Sequence, residues 1–242
     1  MKDMMTVTDI HCHLLPKVDD GACDSSMTRA MLKKAYNEGV RDIIVTPHFR
    51  RGMFETPADI IRKRFQKVRV YAANLGEEGI RLHLGCEYYR EIGMAEKLKR
   101  GFRPTLAGGK YVLVEFSSMD SYARIRSELY ELVTAGYIPI VAHAERYDAF
   151  LRSLDNISNA IALGAQIQVN ADSILGKNGG RAKKMCKMLM EREEIHFVGS
   201  DAHDISSRPS RIGKCAHYVE KKWGRDAAVR IFQENPDKIL KR

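Results

Sequence analysis

The sequence predicts an α/β fold in which helices cover a buried parallel sheet. About seven short, almost wholly apolar segments alternate with amphipathic stretches of helical periodicity. This alternation favours repeated βαβ units. Because the 242 residues show no shift in composition that would mark a linker, we expect a single domain over residues 1–242. A closed barrel and an open doubly wound sheet both fit the pattern, although no G-x-G-x-x-G follows the first strand.

The apolar segments and the residues that flank them give the order of the elements. The predicted strands lie at 4–8, 43–45, 80–86, 111–114, 138–142, 166–169 and 195–198. The predicted helices lie at 26–38, 57–75, 94–98, 125–135, 153–163 and 181–192, with one or two more in a tail that finishes at 235–236. Asp24 and Ser25 offer an N-cap for the first helix, and Pro57 suits the start of the second. Gly39 and Gly164 are typical helix stops.

The composition limits the classes of function. The chain carries 40 Lys and Arg against 31 Asp and Glu, a formal charge of +9, which is compatible with an anionic substrate or partner. Runs of cations at 62–64 and 97–100 fall on predicted helix surfaces, so solvated faces are favoured over a nucleic-acid groove. The sequence contains neither an apolar run long enough for a membrane span nor a signal peptide pattern. We therefore expect a cytoplasmic protein that is not itself a membrane protein.

The five cysteines support the same compartment. They stand at positions 12, 23, 86, 186 and 215, and no two form a C-x-x-C pair. An odd number of cysteines without such spacing is typical of free thiols in a reducing environment. Cys23 and Arg29 satisfy the C-x5-R spacing of cysteine-dependent tyrosine phosphatases. Cys186 and Arg192 do so too, inside a plain amphipathic helix, and neither segment has the glycines of a phosphate cradle.

Histidines and acids occupy the carboxyl ends of nearly all the predicted strands. In chain order they are His11 and His13, His48, Glu87, Glu115, His143, and then Asp201 and His203, with Asp20 added from the first loop. Residues two apart on a strand point to the same face, so His11 and His13 would aim their rings into one space. Asp9 could be the hydrogen-bond partner of the second nitrogen of one ring. The sixth predicted strand is followed by Asn170, which is neither a histidine nor an acid.

This distribution predicts a cluster of metal ions. In a parallel barrel the carboxyl ends of the strands meet on one face, and several carboxylates buried there need compensation. Imidazole and carboxylate groups bind divalent ions, and nine such ligands would serve about three ions. A lone residue of this kind more often forms an ordinary hydrogen bond, but five of the eight histidines fall at strand ends. The other three, His83, His196 and His217, are interpreted as structural.

Two arginines near the predicted cluster point to a phosphate substrate. Arg146 lies three residues after His143, and Arg208 lies five residues after His203, so both fall on loops at the same mouth. Guanidinium groups bind phosphate oxygens bidentately, and paired ions hold a hydroxide and clamp a phosphoryl group during in-line displacement. The nucleophile would come from a metal-bound water or from Asp201. Surface salt bridges are the alternative role for the two arginines.

The ordered set of histidines and acids resembles the PHP (polymerase and histidinol phosphatase) family over nearly the entire chain. Within that family, five motifs are similar to those of the manganese-dependent tyrosine phosphatases of bacterial capsule and exopolysaccharide loci. They are Asp9-Ile-His11-Cys-His13, Val18-Asp-Asp20-Gly21, Arg50-Arg-Gly-Met-Phe-Glu-Thr-Pro57, Ala142-His-Ala-Glu-Arg146-Tyr147 and Ser200-Asp-Ala-His203. The resemblance implies a distorted seven-stranded (β/α)7 TIM-like barrel and metal-dependent hydrolysis of phosphotyrosine.

The resemblance also implies roles for the matched residues at three metal positions, filled by Mn²⁺ or by Zn, Fe, Co or Mg. His11, His13, Glu87 and Asp201 would hold the first ion, Glu87, Glu115 and His143 the second, and Asp20, His48 and His203 the third. Arg146 and Arg208 would grip the phosphate. The implied substrate is phosphotyrosine on the tail of a membrane-associated tyrosine kinase that controls polysaccharide export. Phe49 and Phe54 could pack against the tyrosyl ring, and core packing fits them equally well.

Three other functions fit part of the pattern. A small-molecule phosphatase of the histidinol-phosphate phosphatase type is the nearest alternative within the family. A metal-dependent amidohydrolase also begins with His-x-His, but it would usually place a modified lysine where this chain has Glu115. A basic nucleic-acid-binding protein with structural metals has less support, because aromatic and basic residues do not interleave in the manner that stacks bases.

Overall fold

The computed structural model describes residues 5–241, in which parallel strands alternate with helices. The strands are β1 (Val7–Cys12), β2 (Val40–Val45), β3 (His48–Phe49), β4 (Arg81–Leu84), β5 (Glu87–Tyr89), β6 (Tyr111–Glu115), β7 (Ile138–Val141), β8 (Gln166–Asn170) and β9 (Phe197–Gly199). The helices are α1 (Ser25–Asn37), α2 (Ala58–Ala73), α3 (Met94–Lys99), α4 (Tyr122–Thr134), α5 (Asp148–Arg152), α6 (Asp155–Leu163), α7 (Ala171–Ile174), α8 (Gly180–Glu191), α9 (Ile212–Trp223), α10 (Arg225–Val229) and α11 (Asn235–Leu240). Short 3-10 turns lie at Leu106–Gly108 and Ala144–Arg146, and a π-helical turn lies at Arg230–Glu234.

The parallel strands form two sheets that continue into one another as one curled surface. Their orders are β1-β2-β4 and β3-β5-β6-β7-β8-β9. The Gly85 N–H donates to the Val45 carbonyl at 2.8 Å and the Glu87 N–H donates to the Pro47 carbonyl at 3.2 Å, so the ladder crosses the gap between the sheets. Pro47 has no N–H and lies in the break between β2 and β3. The sequence predicted about seven strands, and the structure has nine among the described residues.

The last strand returns beside the first. A parallel bridge pairs Cys12 with Ala202. The His13 N–H donates to the Ala202 carbonyl at 2.9 Å, and the Asp201 N–H donates to the His11 carbonyl at 2.8 Å. The polar residues that follow β1 and β9 therefore share one end of the curled sheet, although they lie at opposite ends of the sequence.

The sheet separates two apolar clusters. The smaller, inner cluster consists of Ile10, Ile44, Leu106, Leu113, Ile140, Ala142, Phe197 and Ile239. The larger, outer cluster fills the space between the sheet and the helices, and Val112 and Val114 belong to it although Leu113 between them faces inward. This alternation has the period of two that strands buried on both faces produce. The apolar character of the predicted strands is therefore explained by burial on both sides.

A bulge in β1 decides where its side chains point. Between Asp9 and Cys12, three steps along β1 match two steps along β2, so β1 carries one extra residue there. The extra residue breaks the simple alternation of faces, and Ile10 packs in the inner cluster while the adjacent His11 also points inward. A Cβ atom added to Gly199 would lie only 2.6 Å from the His11 Cβ, so the close approach of β9 requires glycine at that position.

Capping explains where several helices begin. Asp24 caps α1 by accepting a hydrogen bond from the backbone N–H three residues later at 2.8 Å, which agrees with the predicted N-cap. Ser121 caps α4, which therefore begins at Tyr122, three residues before the predicted start at 125. The prediction that the tail finishes at 235–236 is wrong, because Pro236 lies in the first turn of α11, where proline is tolerated.

The remaining differences from the prediction concern short elements and the amino-terminal boundary. β1 begins at Val7, and Met4, the first residue of the predicted strand, lies outside the described residues. The short helices α5 and α7 have no counterpart in the prediction, because fewer than two turns leave little periodicity to detect. Within residues 5–241, no helix combines the length and the apolar composition needed to cross a membrane.

Candidate active site

Polar side chains from six strands and one loop converge at the carboxyl end of the curled sheet. They belong to His11, His13, Asp20, His48, Glu87, Glu115, His143, Asp201 and His203. We call these nine residues the cluster. All but Asp20, His48 and Glu115 are buried. The structure thus brings together every residue that the sequence proposed as a metal ligand.

Glu87 lies at the centre of the cluster. Its Oε2 atom is 3.0 Å from His11 Nε2 and 3.1 Å from both His13 Nε2 and His48 Nδ1. Its Oε1 atom is 2.9 Å from His143 Nε2. The Glu87 side chain is fully buried, and each of its oxygens has two lone pairs. A buried carboxylate that faces four imidazoles in this way can bridge two cations.

The other three acids each lie 3.4–3.7 Å from two or more imidazole nitrogens. The pairs are Asp201 with His11, His13 and His203, Asp20 with His48 and His203, and Glu115 with His48 and His143. These distances are long for hydrogen bonds, but ligands bound to one ion at about 2.1 Å are themselves roughly 3–3.5 Å apart. The spacing is that of ligands around shared ions.

Three sets within the cluster place one ligand atom per residue within 4.8 Å of one another. The sets are His13, Asp20, His48 and His203; His11, His13 and Asp201; and His48, Glu87 and Glu115. His13 and His48 each belong to two sets, so the sets adjoin. The described residues therefore offer a candidate site for several metal ions.

The hydrogen bonds of His11 and His13 determine which ring nitrogen faces the cluster. His11 Nδ1 lies 3.1 Å from Gln168 Oε1, His13 Nδ1 lies 2.9 Å from Asp19 Oδ2, and both oxygens can only accept. The Nδ1 atoms therefore carry the protons, and the two Nε2 lone pairs face each other at 3.1 Å and face Glu87 Oε2. Three acceptors at this spacing need a cation, or added protons, between them.

Two further nitrogens fit the same interpretation. His48 Nδ1 and His203 Nε2 are buried and form no hydrogen bond with the described residues. His48 Nδ1 does lie 3.1 Å from Glu87 Oε2, but without the geometry of a hydrogen bond. An unpartnered buried nitrogen costs about 1–3 kcal/mol, and coordination to an ion would remove that cost. The donor set therefore fits divalent cations.

Crowding of charged groups shifts the pKa values in the cluster. Burial, reinforced by the neighbouring Glu87 carboxylate, raises the pKa of Glu115 to about 7. For Glu87, burial alone would raise the pKa, but the His11 and His48 imidazoles outweigh burial and hold the pKa well below its usual range. For His13, burial alone would lower the pKa, but hydrogen bonds to carboxylates raise it well above its usual value. Without ions, the cluster holds protons that a bound cation would displace.

Two cluster residues have an unusual backbone conformation. His143 and Asp201 have φ angles of 34° and 52°, in the left-handed region that residues with a Cβ atom rarely adopt. Such strain is common at functional sites, and here it turns the chain sharply after β7 and β9. Close packing imposes a second constraint, because a Cβ atom added to Gly21 would lie 2.1 Å from the His13 carbonyl oxygen. The loop after β1 can therefore curl over the cluster only with glycine at this position.

An amide relay on β8 supports the cluster, and the sequence analysis missed its first member. Gln168 Oε1 accepts hydrogen bonds from His11 Nδ1 at 3.1 Å and from the His143 backbone N–H at 2.9 Å. Gln168 Nε2 donates to Asn170 Oδ1 at 2.9 Å, and Asn170 Nδ2 donates to Asp201 Oδ2 at 2.8 Å. The available signal was the run of three amides, Gln166, Gln168 and Asn170, at alternate positions of the strand.

Asp9 does not have the predicted role of partner to an imidazole nitrogen. Its Oδ1 atom accepts from the backbone N–H groups of His11 at 3.3 Å and Ser200 at 2.9 Å, and burial raises its pKa to about 6. Gln168 has this role for His11, and Asp19 has it for His13, because Asp19 Oδ2 lies 2.9 Å from His13 Nδ1 and also accepts from a backbone N–H of β3 at 2.9 Å. Asp9 Oδ1 is instead held by two backbone N–H groups, and Asp9 Oδ2 forms no hydrogen bond with the described residues.

A cavity of about 240 Å³ opens over the cluster, and both predicted arginines line it. Arg146 Nη2 lies 3.0 Å from Asp201 Oδ2, and Arg208 Nη2 lies 3.1 Å from Asp201 Oδ1. The two side chains are 40% and 41% exposed, so their other N–H groups are available to a ligand. The remaining lining residues are Asp20, His48, Arg50, Met53, Phe54, Glu115, His143 and Asp201. Two guanidinium groups that converge above candidate cation sites are suited to bind a phosphate group.

The two phenylalanines proposed for ring packing have different surroundings. Phe54 stacks on His48 with ring centroids 5.1 Å apart and lines the cavity. Phe49 is buried and contacts Tyr88 and Phe102 edge-on, at 5.0 and 5.2 Å. Phe49 therefore packs in the core, whereas Phe54 is available to a substrate.

The remaining histidines lie outside the cluster. His83 Nε2 is 2.9 Å from Asp42 Oδ1 on the neighbouring strand. His196 Nδ1 accepts from the Ile167 N–H at 3.2 Å, just before β9 begins. His217 is exposed on α9. The hydrogen bonds of His83 and His196 agree with the structural roles proposed for them, whereas the structural role of His217 stays a prediction.

Comparison of the sequence with known proteins gives one family. The family model described as capsular polysaccharide synthesis, CpsB/CapC, matches residues 7–241. The tyrosine-protein phosphatase CpsB of Streptococcus pneumoniae is 35% identical over 237 residues, which cover 96% of this chain and 97% of that protein. The tyrosine-protein phosphatase YwqE of Bacillus subtilis is 33% identical over 236 residues, which cover 96% of this chain and 91% of that protein.

Solved structures agree with the sequence relatives. A chain from the crystal structures of YwqE from Bacillus subtilis and CpsB from Streptococcus pneumoniae, described as unique metal-dependent tyrosine phosphatases, matches with a TM-score of 0.89 and 27% identity over 97% of this chain and 95% of that chain. The histidinol phosphate phosphatase of Lactococcus lactis has a TM-score of 0.62 and 14% identity over 90% and 94%, which shows a shared fold alone. The resemblance to phosphatases of capsule loci is therefore confirmed, and the chain belongs to the CpsB/CapC family of capsular polysaccharide synthesis.

Proposed function

We propose that this chain is a metal-dependent protein-tyrosine phosphatase that hydrolyses phosphotyrosine in a protein substrate. The observation that carries the proposal is the set of three acceptors, His11 Nε2, His13 Nε2 and Glu87 Oε2, which lie 3.0–3.1 Å apart with the ring protons directed away. Relatives named tyrosine-protein phosphatases match nearly the full length and support the same activity. Mn²⁺ is the proposed ion because the chain resembles manganese-dependent tyrosine phosphatases, and the mixed imidazole and carboxylate ligands would also accept Zn, Fe, Co or Mg.

The proposed site holds three ions. His11, His13, Glu87 and Asp201 would bind the first, Glu87, Glu115 and His143 the second, and Asp20, His48 and His203 the third. The contacts support a bridging role for Glu87, because its Oε2 faces His11 and His13 while its Oε1 faces His143. His48 lies 3.6 Å from Asp20 and 3.7 Å from Glu115, so it borders the second and third positions.

The chain's own residues would position the phosphate. When bound, the ions would activate water and neutralise the charge that develops on the phosphoryl oxygens. Arg146 and Arg208 approach Asp201 from two sides, and their remaining N–H groups would bind phosphate oxygens in the cavity. Asp201 would bind the first ion and fix the positions of both arginines through the same carboxylate. Phe54 would contact the aromatic ring of the substrate.

The proposed substrate is phosphotyrosine on the tail of a membrane-associated tyrosine kinase that controls capsule or exopolysaccharide synthesis. The family description, capsular polysaccharide synthesis, supports this process. The formal charge of +9 suits an anionic phosphoprotein. We place the enzyme in the cytoplasm, since all five cysteines are free.

The architecture proposed with this function is a single domain over residues 1–242. The nine strands become the seven of a distorted (β/α)7 barrel if β2 is joined with β3 and β4 with β5. The hydrogen bonds that continue the ladder between the two sheets support this count. The bridge between Cys12 and Ala202 supports closure of the ring.

The deciding experiment compares hydrolysis of a phosphotyrosyl peptide and of histidinol phosphate by the purified protein, with Mn²⁺ and with a chelator. We expect Mn²⁺-dependent turnover of the peptide that exceeds turnover of histidinol phosphate. A preference for histidinol phosphate would favour the small-molecule alternative. Activity that survives chelation but disappears in Cys23→Ser would contradict a metal mechanism.

Substitution of individual ligands tests the proposed placement. Each of the single variants Glu87→Ala and His143→Ala should abolish activity and lower the Mn²⁺ content. Glu87→Ala removes the central carboxylate, and His143→Ala removes the imidazole that faces its Oε1 atom. His217→Ala, exposed on α9, is the control. A ligand variant that keeps full activity and full metal content would refute the placement.

A further inference from the structure

A second cavity, with four cations among its ten lining residues, lies beside the loop that carries Asp20. Its volume is about 430 Å³, and it is formed by the loop after β1, the first turn of α1 and the middle of α2. We call it the α1–α2 groove. Lys17, Arg29, Arg64 and Lys67 are the cations that line it.

None of these four cations forms an ion pair with another residue between positions 5 and 241. Arg64 donates hydrogen bonds to the backbone carbonyls of Pro16 and Lys17, which ties α2 to the loop after β1. The Arg29 guanidinium lies 5.3 Å from the centre of the Tyr71 ring, in a cation–π contact. Both lysines are exposed. The groove therefore carries positive charge that the described part of the chain does not balance.

The rest of the lining adds an apolar wall and one acid. Pro16, Val68 and Tyr71 contribute the apolar surface, and Tyr71 is 36% exposed. The acid, Asp24, accepts a hydrogen bond from the Met27 N–H at 2.8 Å and so serves as the cap of α1. A concave surface with four cations and an apolar wall is complementary to an acidic polypeptide segment.

The groove lies close to the mouth of the proposed active site. Lys17 and Asp20 are three residues apart, so their Cα atoms are separated by at most about 11 Å. Asp20 lines the cavity over the cluster. An extended chain spans about 3.3–3.6 Å per residue, so a substrate would reach the groove roughly three residues away from its phosphotyrosine.

From this arrangement we infer that the α1–α2 groove binds an acidic segment of the phosphoprotein substrate, beginning about three residues from the phosphotyrosine. This inference rests on the proposed tyrosine phosphatase function. It adds a second recognition element, which would lower KM for protein substrates without taking part in the chemistry. Charge complementarity of this kind also speeds encounter with an acidic partner.

An anionic membrane surface would also be attracted to the positive charge of the groove. The shape of the groove fits a membrane less well than it fits a polypeptide. The groove is concave, whereas a bilayer is bound by protruding basic and aromatic side chains. The excess positive charge is also not confined to the groove, because Lys183, Lys184, Lys187 and Lys222 line another cavity between α8 and α9. The lysines of α8 therefore provide a control of equal charge.

The test uses two double variants of the full chain. Arg29→Gln/Lys67→Gln removes two charges from the groove, and Lys184→Gln/Lys187→Gln removes two exposed charges from α8. With Mn²⁺ present, kcat/KM is measured for p-nitrophenyl phosphate, for a phosphotyrosyl peptide with neutral flanks, and for peptides with three aspartates beginning three residues before or after the phosphotyrosine.

We expect the wild type to prefer one of the acidic peptides. The groove variant should lower kcat/KM for that peptide about tenfold, mainly through KM, because two screened ion pairs are lost. Its kcat/KM for p-nitrophenyl phosphate and for the neutral peptide should stay within about twofold of the wild type, and so should every value for the α8 variant. High salt should remove the preference.

Four results would overturn the inference, and they lead to different conclusions. An equal loss in the α8 variant, or no preference for acidic peptides in an active wild type, would remove the groove's role while the phosphatase function stands. Weaker binding of the groove variant to phosphatidylglycerol vesicles, with unchanged peptide kinetics, would assign the groove to lipid instead. A wild type that hydrolyses none of the substrates with Mn²⁺ would refute both the proposed function and the inference.

Discussion

At the scale of single residues, Glu87 shows how much of a site one side chain can organise. Four imidazole nitrogens lie within 3.1 Å of its two oxygens, and the side chain has no access to water. A buried carboxylate in this position must be balanced by protons or by cations. The sequence identified Glu87 as an acid at a strand end. Its central place was not predictable, because the order of residues along the chain does not give the distances between them.

Substitution of Arg208 distinguishes a role in binding phosphate from a role in binding metal. Arg208→Ala should lower kcat/KM for a phosphotyrosyl peptide about 100-fold, because one donor to the developing charge is lost. The Mn²⁺ content should stay unchanged, since Asn170 and Arg146 still hold the Asp201 carboxylate. Kinetics and elemental analysis of the same preparation measure both quantities. Arg192→Ala, at the end of α8, is the control, and loss of metal in Arg208→Ala would mean that Arg208 is structural.

The pKa of Glu115 makes the affinity for metal depend on pH. Because the pKa is raised to about 7, the metal-free protein holds this proton at pH 6 and must release it when a cation binds. The Mn²⁺ affinity should therefore rise about tenfold per pH unit for each proton displaced, and the contribution of Glu115 should level off above its raised pKa. Calorimetric titration at pH 6, 7 and 8, in two buffers of different ionisation enthalpy, counts the protons. Binding that releases no protons at pH 6 would contradict this account.

At the scale of elements, β8 supports the cluster, whereas six other strands contribute its side chains. Gln168→Leu keeps the volume of the side chain but removes the acceptor for His11 Nδ1 and the donor to Asn170. We expect a 10–100-fold loss of Mn²⁺ affinity, the range that follows when a partner of a ligating histidine is removed. Gln166→Leu changes the same strand two residues earlier and is the matched control, since Gln166 forms no side-chain hydrogen bond with the described residues.

The position of the proton on the His11 ring provides a second test of this prediction. Nitrogen NMR of the metal-free protein reports which ring nitrogen carries the proton. The wild type should show the proton on Nδ1, and Gln168→Leu should show a mixture of the two tautomers, because the acceptor that selects Nδ1 is gone. An unchanged tautomer together with unchanged affinity would show that the relay does not position His11.

Most helices and strands were predictable because their signals are local. The Asp24 cap of α1 and the apolar runs of the buried strands can be identified from a few neighbouring residues. The bulge in β1 could not be predicted in this way, because it depends on how β1 fits between β2 and the returning β9. The partners of the histidines were missed for the same reason. Asp9 is near His11 in sequence, but its Oδ1 atom accepts from two backbone N–H groups, and distant Gln168 accepts the hydrogen bond of His11 Nδ1 instead.

At the scale of the whole molecule, ions in the cluster would act as cross-links between distant segments. An ion that binds only the folded state at 100 times its Kd stabilises that state by about 2.7 kcal/mol. For a chain of this size, Mn²⁺ should raise the thermal midpoint of chelator-treated protein by about 5–10 °C for each ion bound. Differential scanning calorimetry measures the shift, and Glu87→Ala is expected to abolish most of it. An unchanged midpoint would argue against ions that hold the strands together.

The convergence of the cluster was predictable, but its internal arrangement was not. A parallel sheet brings the carboxyl ends of its strands to one edge, so the eight cluster residues at such ends had to be neighbours if the sheet curled. Which acid faces which imidazole depends on the left-handed turns at His143 and Asp201 and on the loop that Gly21 lets curl over His13. These features arise from contacts between segments that are far apart in sequence.

The bridge between Cys12 and Ala202 has a consequence for biosynthesis. The first strand leaves the ribosome early with His11 and His13 exposed, while Asp201 and His203 are still to be translated. During that interval the nascent chain offers only a partial set of donors, which would retain a cation weakly. Full occupancy of the proposed site would then wait until β9 has docked, so metal loading would be a late step that reports completed folding.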